Sequence, residues 1–235
     1  MMKNPIRAMA FALALLSAPG AISVAIAQVP PSHVMMETYK GVLKAAAAGD
    51  IGEIKNLAAA GADLNTRDPR GRTPLMVTAH LGYHDAARAL IAAGADINVL
   101  DKDRYDVITI AAVADDPEMI RIAVAGGGDP TQITSRYDGT ALIAAAHLGH
   151  DEVVRTLIES GAPLDHVNNL NWTALIEAIV LGDGGPRHVE TLRALVAAGA
   201  DVNLPDGNGI RPLRLALQRG YQDMVTILQN NGGKP

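Results

Sequence analysis

The chain contains no cysteine among its 235 residues. This absence excludes disulfide bonds, thiol nucleophiles, cysteine-ligated zinc sites and an N-terminal cysteine that could carry a lipid. Aromatic residues make up only 3% of the chain, with a single Trp and a single Phe. The hydrophobic fraction of 49% therefore consists mainly of small and aliphatic side chains, which suit helices packed about 8–10 Å apart.

Basic residues are not in excess either. The 20 Lys and Arg residues are outnumbered by 25 Asp and Glu residues, which gives a formal net charge of −5. A protein with this balance and no basic run binds poorly to the phosphate backbone of nucleic acids and to anionic membranes. We therefore expect no nucleic-acid partner and, once the N-terminal segment has been removed, no membrane partner.

Long apolar runs are absent except near the N-terminus. Two basic residues precede an apolar run at residues 8–16, and Ala25-Ile26-Ala27 places small residues at both cleavage-site positions. This order is typical of a secretory signal peptide. We predict a signal peptide over residues 1–27, a linker over residues 28–34, and export to the periplasm or secretion. The alternative is an uncleaved membrane anchor, for which the run is shorter than the roughly 20 residues that a span requires.

The sequence also lacks the motifs of common enzyme sites. It has no Gly-x-Ser-x-Gly, no His-Glu-x-x-His, no phosphate-binding Gly-x-x-x-x-Gly-Lys and no dinucleotide-binding fingerprint. The few serines that follow the N-terminal segment have no general base close to them in sequence. We therefore expect a protein that is not an enzyme and that binds no cofactor.

What the sequence does contain is a repeated pattern of two short apolar segments, each ended by glycine, followed by an extended tail. The glycines that end the second segment are spaced by 33, 33, 34, 38 and 33 residues. They are Gly61, Gly94, Gly127, Gly161, Gly199 and Gly232. A period in this range is typical of stacked repeat proteins. Segments of only about eight to eleven residues do not persist as isolated helices in water, so each pair must be stabilised by its neighbours.

The fourth repeat, residues 138–168, carries the pattern most completely. Its Asp-Gly-Thr-Ala-Leu start, its Gly149-His150 turn and its Gly161-Ala162 end resemble an ankyrin repeat. The resemblance implies an all-α solenoid of stacked helix-turn-helix pairs with β-turn tips. We place this ankyrin repeat domain at residues 35–235, with six repeats. Their approximate bounds are 35–67, 68–100, 101–134, 135–167, 168–205 and 206–235.

Two repeats depart from the pattern between their helices. In the third repeat, Asp115-Asp116-Pro117 replaces the glycine turn, and we expect a softer helix pair whose second helix starts at Pro117 with Asp115 or Asp116 as its cap. The fifth repeat carries five extra residues, 183–187, which we expect to form a loop. The sequence indicates no role for this insertion.

Histidine is the metal ligand that recurs in equivalent places. His80 and His147 lie two repeats apart, about 20 Å if helix pairs stack at about 10 Å, which is too far to share a metal ion. His147 and His150 flank Gly149 and so do not share a helix face. The resemblance implies a structural role for His150 in its turn. We therefore expect no metal site and keep metal binding as the alternative.

In ankyrin repeat proteins the tips and the first helices of the repeats form a concave recognition surface. The resemblance places the centre of this surface at Tyr137, His147 and Trp172, although Trp172 could instead pack between neighbouring tips. The residues predicted to bind a partner are Arg70, Arg72, His80, Tyr105, Tyr137, His147, Trp172, Leu181, Ile210 and Arg219. They include the aromatic and arginine side chains that are favoured at binding hot spots.

These expectations combine into a functional prediction. We predict a non-catalytic protein–protein interaction module, an adaptor or scaffold, that acts as a monomer in the periplasm and binds an unidentified protein through its concave surface. One alternative is an envelope stress protein that buffers a metal or another ligand. A second is a secreted effector.

Overall fold

The computed structural model describes residues 29–235, so the predicted signal peptide lies outside the described residues. The described chain is all-α, with no strand and a single β-bridge between Thr134 and Gly139. The helices are α1 (His33–Glu37), α2 (Gly41–Ala48), α3 (Ile51–Ala59), α4 (Pro74–Leu81), α5 (His84–Ala92), α6 (Val107–Val113), α7 (Pro117–Ala125), α8 (Ala141–Leu148), α9 (Asp151–Glu159), α10 (Ala174–Val180), α11 (Pro186–Ala197), α12 (Pro212–Arg219) and α13 (Gln222–Asn230). The pairs from α2–α3 to α12–α13 confirm the predicted stack.

The helices form two layers. The even-numbered helices from α2 to α12, here called the inner helices, form one layer, and the odd-numbered helices from α3 to α13, the outer helices, form the other. Each helix contacts its pair partner and the equivalent helix of the next pair. Leucines such as Leu75, Leu142 and Leu175 are fully buried in this continuous core. Burial against both neighbours is what stabilises helices this short.

Side-chain caps and glycines set the ends of the inner helices. Thr73, Thr140 and Thr173 each accept a hydrogen bond of 3.3–3.4 Å from the backbone N–H three residues on, and Asp106 does so at 2.7 Å. Helices α2, α4, α8 and α12 end at glycines with φ between 64° and 72°, a left-handed conformation that glycine adopts at little cost. The repeat motif therefore encodes the helix bounds directly.

The turns between pairs, here called the tips, share one hydrogen-bonding scheme. In the second repeat, Asp68 Oδ1 accepts from the N–H groups of Arg70 (2.8 Å) and Arg72 (2.9 Å). Equivalent turns are built on Asp101, Ser135, Asn168 and Asp206. Backbone hydrogen bonds then join adjacent tips, from Lys102 to Arg70, from Ser135 to Arg104 and from Asn169 to Tyr137. The tips of the second to fifth repeats consequently form one connected edge.

The segment predicted as a linker packs onto the first repeats. Ser32 caps α1 by accepting from the Met35 N–H (3.2 Å), and Pro31 is buried. The Val29 carbonyl accepts a hydrogen bond of 3.0 Å from the Arg72 guanidinium. Residues 29–37 therefore close the N-terminal end of the stack.

The third repeat keeps its helix pair without a glycine turn. Asp115 adopts a left-handed φ of 57°, which costs a non-glycine residue about 1–2 kcal/mol. Asp116 accepts from the Met119 N–H at 2.9 Å and starts α7 at Pro117, which confirms the predicted cap.

The insertion in the fifth repeat differs from the expectation of a simple loop. Pro186 and Arg187 belong to α11, which has 12 residues where α5, α7, α9 and α13 have nine. Proline fits the first helical position because no N–H is needed there. The prediction was wrong on this point, since two of the five extra residues lengthen the outer helix.

Candidate functional site

The candidate surface consists of the tips and the inner helices, and we keep the name concave surface for it. Its aromatic residues Tyr105, Tyr137 and Trp172 are half-buried, as is Ile210. Tyr105, Trp172 and Ile210 also pack partly against the core, so part of the Trp172 side chain stabilises the fold of its own tip. The remaining area of these side chains faces solvent and is available for contact.

The far ends of the inner helices add exposed aliphatic side chains. Leu148 and Leu217 are 40% and 48% exposed, and Leu170 on the fifth tip is 42% exposed. Leu181 is half-buried, while Arg219 ends α12 and is exposed. Exposed apolar groups beside aromatic ones are typical of protein interaction surfaces.

Arg70 lies on the second tip as predicted, within a small ionic network. Its guanidinium is 3.6 Å from Asp103 on the next tip, and Arg136 approaches the same carboxylate at 3.3 Å from the other side. All three side chains are at least one third exposed. The charges of this edge are therefore partly satisfied by one another.

Arg72 does not lie on the concave surface, and its assignment as a partner-binding residue was wrong. Its side chain is only 1% exposed and forms an ion pair of 2.6 Å with Asp68, which is fully buried. The Tyr39 hydroxyl donates to the same carboxylate at 2.7 Å. Arg72 also holds Val29, as described above, so its role is to join the N-terminal segment, the first repeat and the second tip.

The environment of this cluster fixes its charge state. Burial alone would raise the pKa of Asp68, but hydrogen bonds from Arg72 and Tyr39 outweigh it and hold that pKa below its ordinary value. Burial and the bond to Asp68 raise the pKa of Tyr39. The cluster is therefore an ionised Asp–Arg pair completed by a neutral phenol, the arrangement that a buried charge needs.

His80 and His147 are in equivalent places but in different environments. Among the described residues, no group bonds the buried Nε2 of His80. Burial, and then the nearby Arg72 charge, lower the pKa of His80 to about 3, so its ring is neutral at ordinary pH. The His147 side chain is 32% exposed, and its Nδ1 lies 3.4 Å from Glu177 Oε2. His147 therefore remains a candidate contact residue, whereas the ring of His80 is largely enclosed.

Glu177 is a site residue that sequence reasoning missed. It lies on α10 and is 3% exposed, and its Oε1 accepts a hydrogen bond of 2.9 Å from Asn168 Nδ2. Within the described part of the chain, its buried Oε2 has no hydrogen-bond partner. The available signal was a glutamate in an otherwise apolar helix, ALIEAIV, which amphipathic spacing would assign to solvent.

The insertion forms a clamp across three repeats. Arg187 binds Asp115 through two contacts of 2.8 and 3.0 Å and reaches Asp151 at 3.3 Å. His188 Nε2 donates to the His147 carbonyl at 3.1 Å. The fifth repeat thereby supports the third repeat at the place where the glycine turn is missing.

His150 has the structural role that the resemblance implied. Its Nδ1 donates a hydrogen bond of 2.8 Å to the carbonyl of Ala112, across to the preceding repeat. Tyr221 makes a comparable bond from its hydroxyl to the carbonyl of Gly182, at 2.8 Å. The turns between inner and outer helices are thus joined from repeat to repeat.

The outer helices present a surface of paired charges. One network runs across α5, α7 and α9, and a second across α9 and α11. Between these helices lie two shallow depressions of about 260 and 380 Å³, lined by helices α9, α11 and α13. Arg193 lines both depressions and Glu190 lines the larger of the two, and both residues take part in the second network.

Residues 29–235 contain no group of three or more His, Asp or Glu side chains placed to hold a metal ion. Over the same range, none of the helices has the length and apolar character to cross a membrane.

Comparison with protein families and sequences identifies the repeats. A family model described as ankyrin repeats (3 copies) matches residues 42–132 and 108–206, and one described as ankyrin repeats (many copies) matches residues 186–229. The ankyrin repeat protein YahD of Escherichia coli (strain K12) is 36% identical over 81 residues, which are 34% of this chain and 40% of that protein. An ankyrin repeat-containing protein of Treponema pallidum (strain Nichols) is 34% identical over 37% of this chain and 28% of its own length. The matches thus cover less than half of these relatives.

Solved structures agree with the family assignment. An ankyrin repeat domain from Acinetobacter baumannii AYE is 41% identical, with a TM-score of 0.78 over 82% of this chain and 98% of that one. The ankyrin repeat domain of Bcl-3 is 25% identical, with a TM-score of 0.74 over 84% of this chain and 88% of that one. The resemblance read from the sequence is thereby confirmed.

Proposed function

We propose that this chain, which belongs to the ankyrin repeat family, is a non-catalytic adaptor that binds one partner protein through its concave surface. Ankyrin repeat domains are generally protein–protein interaction modules. The distribution of side chains over the concave and outer surfaces supports the concave surface as the place where this chain binds.

The observation that carries the proposal is the set of half-buried aromatic and exposed leucine side chains on the concave surface of the fourth and fifth repeats. Tyr137, Trp172, Leu148 and Leu170 all belong to these two repeats. Aromatic side chains supply large contact area at low entropic cost, and leucines extend the apolar area around them. A partner that covers these side chains would remove their exposed apolar surface from water.

Protein capture with paired variants tests the proposal. Tyr137→Ala and Trp172→Ala together should reduce recovery of the partner at least about tenfold, because truncating central aromatic residues commonly costs 2 kcal/mol or more of binding. The matched control is Arg121→Ala with Glu152→Ala on the outer surface, which should leave recovery unchanged. Circular dichroism should show the same helical content in both variants. Equal recovery by the wild type and the concave variant would reject this surface.

We further propose that the protein acts in the periplasm after removal of residues 1–27. The order of basic, apolar and small residues in that segment supports this location. Mass spectrometry of the protein from its native cell should then find a chain that begins at Gln28. An intact Met1 in the native protein would contradict cleavage, whatever the outcome of the capture experiment.

A further inference from the structure

The position of Glu177 is filled differently in the other repeats, which act as internal controls. At the fourth residue after the N-cap of the inner helix, the first repeat has the exposed Lys44, at the end of the stack. The second, third, fourth and sixth repeats have the apolar residues Val77, Ile110, Ala144 and Leu215, as expected for a position that packs beside a neighbouring inner helix. The fold therefore does not require a carboxylate at this place, and its presence in the fifth repeat calls for another explanation.

Asn168 is a second exception, and it is linked to the first. The equivalent tip residues are Asp68, Asp101, Ser135 and Asp206, each of which uses an oxygen to hold its turn. Asn168 keeps an oxygen for this purpose and gains an amide group that donates to Glu177. An aspartate at the same place would put a second negative charge against Glu177. The fifth repeat thus carries two matched changes.

The hydrogen bonding of Glu177 is nevertheless incomplete. Its Oε1 has the bond from Asn168, but its buried Oε2 lacks a donor within residues 29–235. His147 Nδ1 is 3.4 Å from Oε2, and this side chain is 32% exposed while that of Glu177 is 4% exposed. A buried carboxylate with one neutral hydrogen bond is costly, so a hydrogen bond from a charged donor to Glu177 Oε2 would be favourable.

Resting on the proposed function, we propose that Glu177, Asn168 and Trp172 form a subsite for an arginine side chain of the partner protein. Trp172 lies on the same tip as Asn168. Its backbone N–H donates to Asn168 Oδ1 and its backbone carbonyl accepts from the Asn168 backbone N–H, both at 3.0 Å. A guanidinium offers several planar donors to a carboxylate and stacks on aromatic faces. In this subsite the guanidinium would displace the His147 side chain, which is 32% exposed and whose Nδ1 lies 3.4 Å from Oε2. The net charge of −5 favours a cation.

Trp172 provides a direct reporter, since it is the only Trp in the chain. The peptide acetyl-Gly-Arg-Gly-amide is titrated into the full-length mature protein while Trp fluorescence is recorded. We expect a saturable change with this peptide and binding at least about tenfold weaker with the neutral citrulline analogue, because the charged hydrogen bond is lost. Glu177→Gln should weaken binding of the arginine peptide to a similar extent, whereas Glu190→Gln on the outer surface should have no effect.

A second variant separates loss of binding from loss of folding. Asn168→Asp combined with Glu177→Val restores the residues found at Asp68 and Val77 in the second repeat. It should unfold at the same temperature as the wild type or higher, and it should not respond to the arginine peptide. An unchanged response in this variant would overturn the assignment.

Three further outcomes would also overturn it: no saturable change in the wild type, equal binding by Glu177→Gln, or equal binding of the lysine analogue, which would mean that planar geometry is not recognised. If partner capture requires Trp172 but tolerates Glu177→Gln, the subsite fails and the proposed function stands. If Trp172 and Tyr137 are also dispensable for capture, the proposed function fails as well.

Discussion

The outer and concave surfaces use charged residues in different ways. On the outer surface, Arg88 lies between Asp85 at 2.8 Å and Glu118 at 2.5 Å, and Arg121 continues the row to Glu152 at 3.4 Å. All of these side chains are at least 42% exposed. The tips of the concave surface carry an exposed network of their own around Asp103, but charged groups are also buried next to this surface, as in the Arg72–Asp68 pair and at Glu177.

The difference shows that the number of ion pairs is a poor guide to what a surface does. Exposed pairs contribute little each because water and salt screen them, and they leave an outer surface whose charges satisfy one another. Buried charges have large individual effects, because each must be completed by specific donors. The Arg72 guanidinium is paired within the chain, whereas Glu177 Oε2 has no hydrogen bond within residues 29–235 and only His147 Nδ1 at 3.4 Å. This contrast directs attention to the fifth repeat.

The largest effect is expected from breaking the buried pair. Arg72→Met should lower the free energy of unfolding by about 3–5 kcal/mol, because it leaves Asp68 as an uncompensated buried charge. Urea unfolding followed by circular dichroism measures the change. Arg70→Met, the matched exposed variant two residues away, should change stability by less than about 0.5 kcal/mol. Similar losses in the two variants would contradict the distinction between buried and exposed arginines.

The neutral His80 should make stability depend on pH. Its pKa of about 3 in the folded state lies below the value of 6.5 expected when unfolded, so only the unfolded chain gains this proton between those values. Stability should therefore be intact above pH 6.5 and fall by up to about 1.4 kcal/mol per pH unit as the pH decreases, or about 2 kcal/mol at pH 5. His80→Val, which copies Val113 and Val180 of other repeats, should remove this contribution. Parallel pH profiles for the two proteins would refute it.

The clamp of the insertion should have an intermediate effect. Arg187→Ala should reduce stability by about 0.5–1 kcal/mol, since its contacts with Asp115 and Asp151 are partly exposed. Arg187→Lys should recover only part of the loss, because a single ammonium cannot replace two separate nitrogens, Nη2 on Asp115 and Nε on Asp151. Hydrogen exchange should locate the change at the turn of the third repeat. Exchange that increases only within α11 would argue against a clamp between repeats.

The smallest effect is expected in the outer network. Arg88→Ala should cost about 0.2–0.5 kcal/mol in spite of its two short ion pairs, and this cost should disappear at high salt. Thermal unfolding at low and high ionic strength measures it. A loss as large as that of Arg72→Met would mean that the outer network, and not the buried pair, stabilises the stack.

Periodicity and helix-stop glycines were sufficient to predict the fold, because each repeat carries its own caps and turns. Thr73 and Asp116, for example, cap helices as their sequence context indicates. The candidate surface was predicted less completely. Arg72 and Arg70 look alike in sequence, and the contacts that bury Arg72, with Asp68 and with Val29, are seen only in the folded chain.

Contacts between distant repeats could not be predicted from the spacing alone. Arg187 meets Asp115 across 72 residues, and the extra turn of α11 that brings them together depends on how the helices stack. Glu177 was missed for a related reason, since its partner Asn168 lies on a tip and not on the same helix.

Site-specific photo-cross-linking in the native cell tests the central claim most directly. A photoreactive phenylalanine analogue replaces Tyr137 or Leu148 on the concave surface, and Glu159 or Arg121 on the outer surface. The account predicts one shared cross-linked protein from the two concave positions and none from the outer positions. Cross-links that form equally on both surfaces, or only through the outer helices, would contradict it.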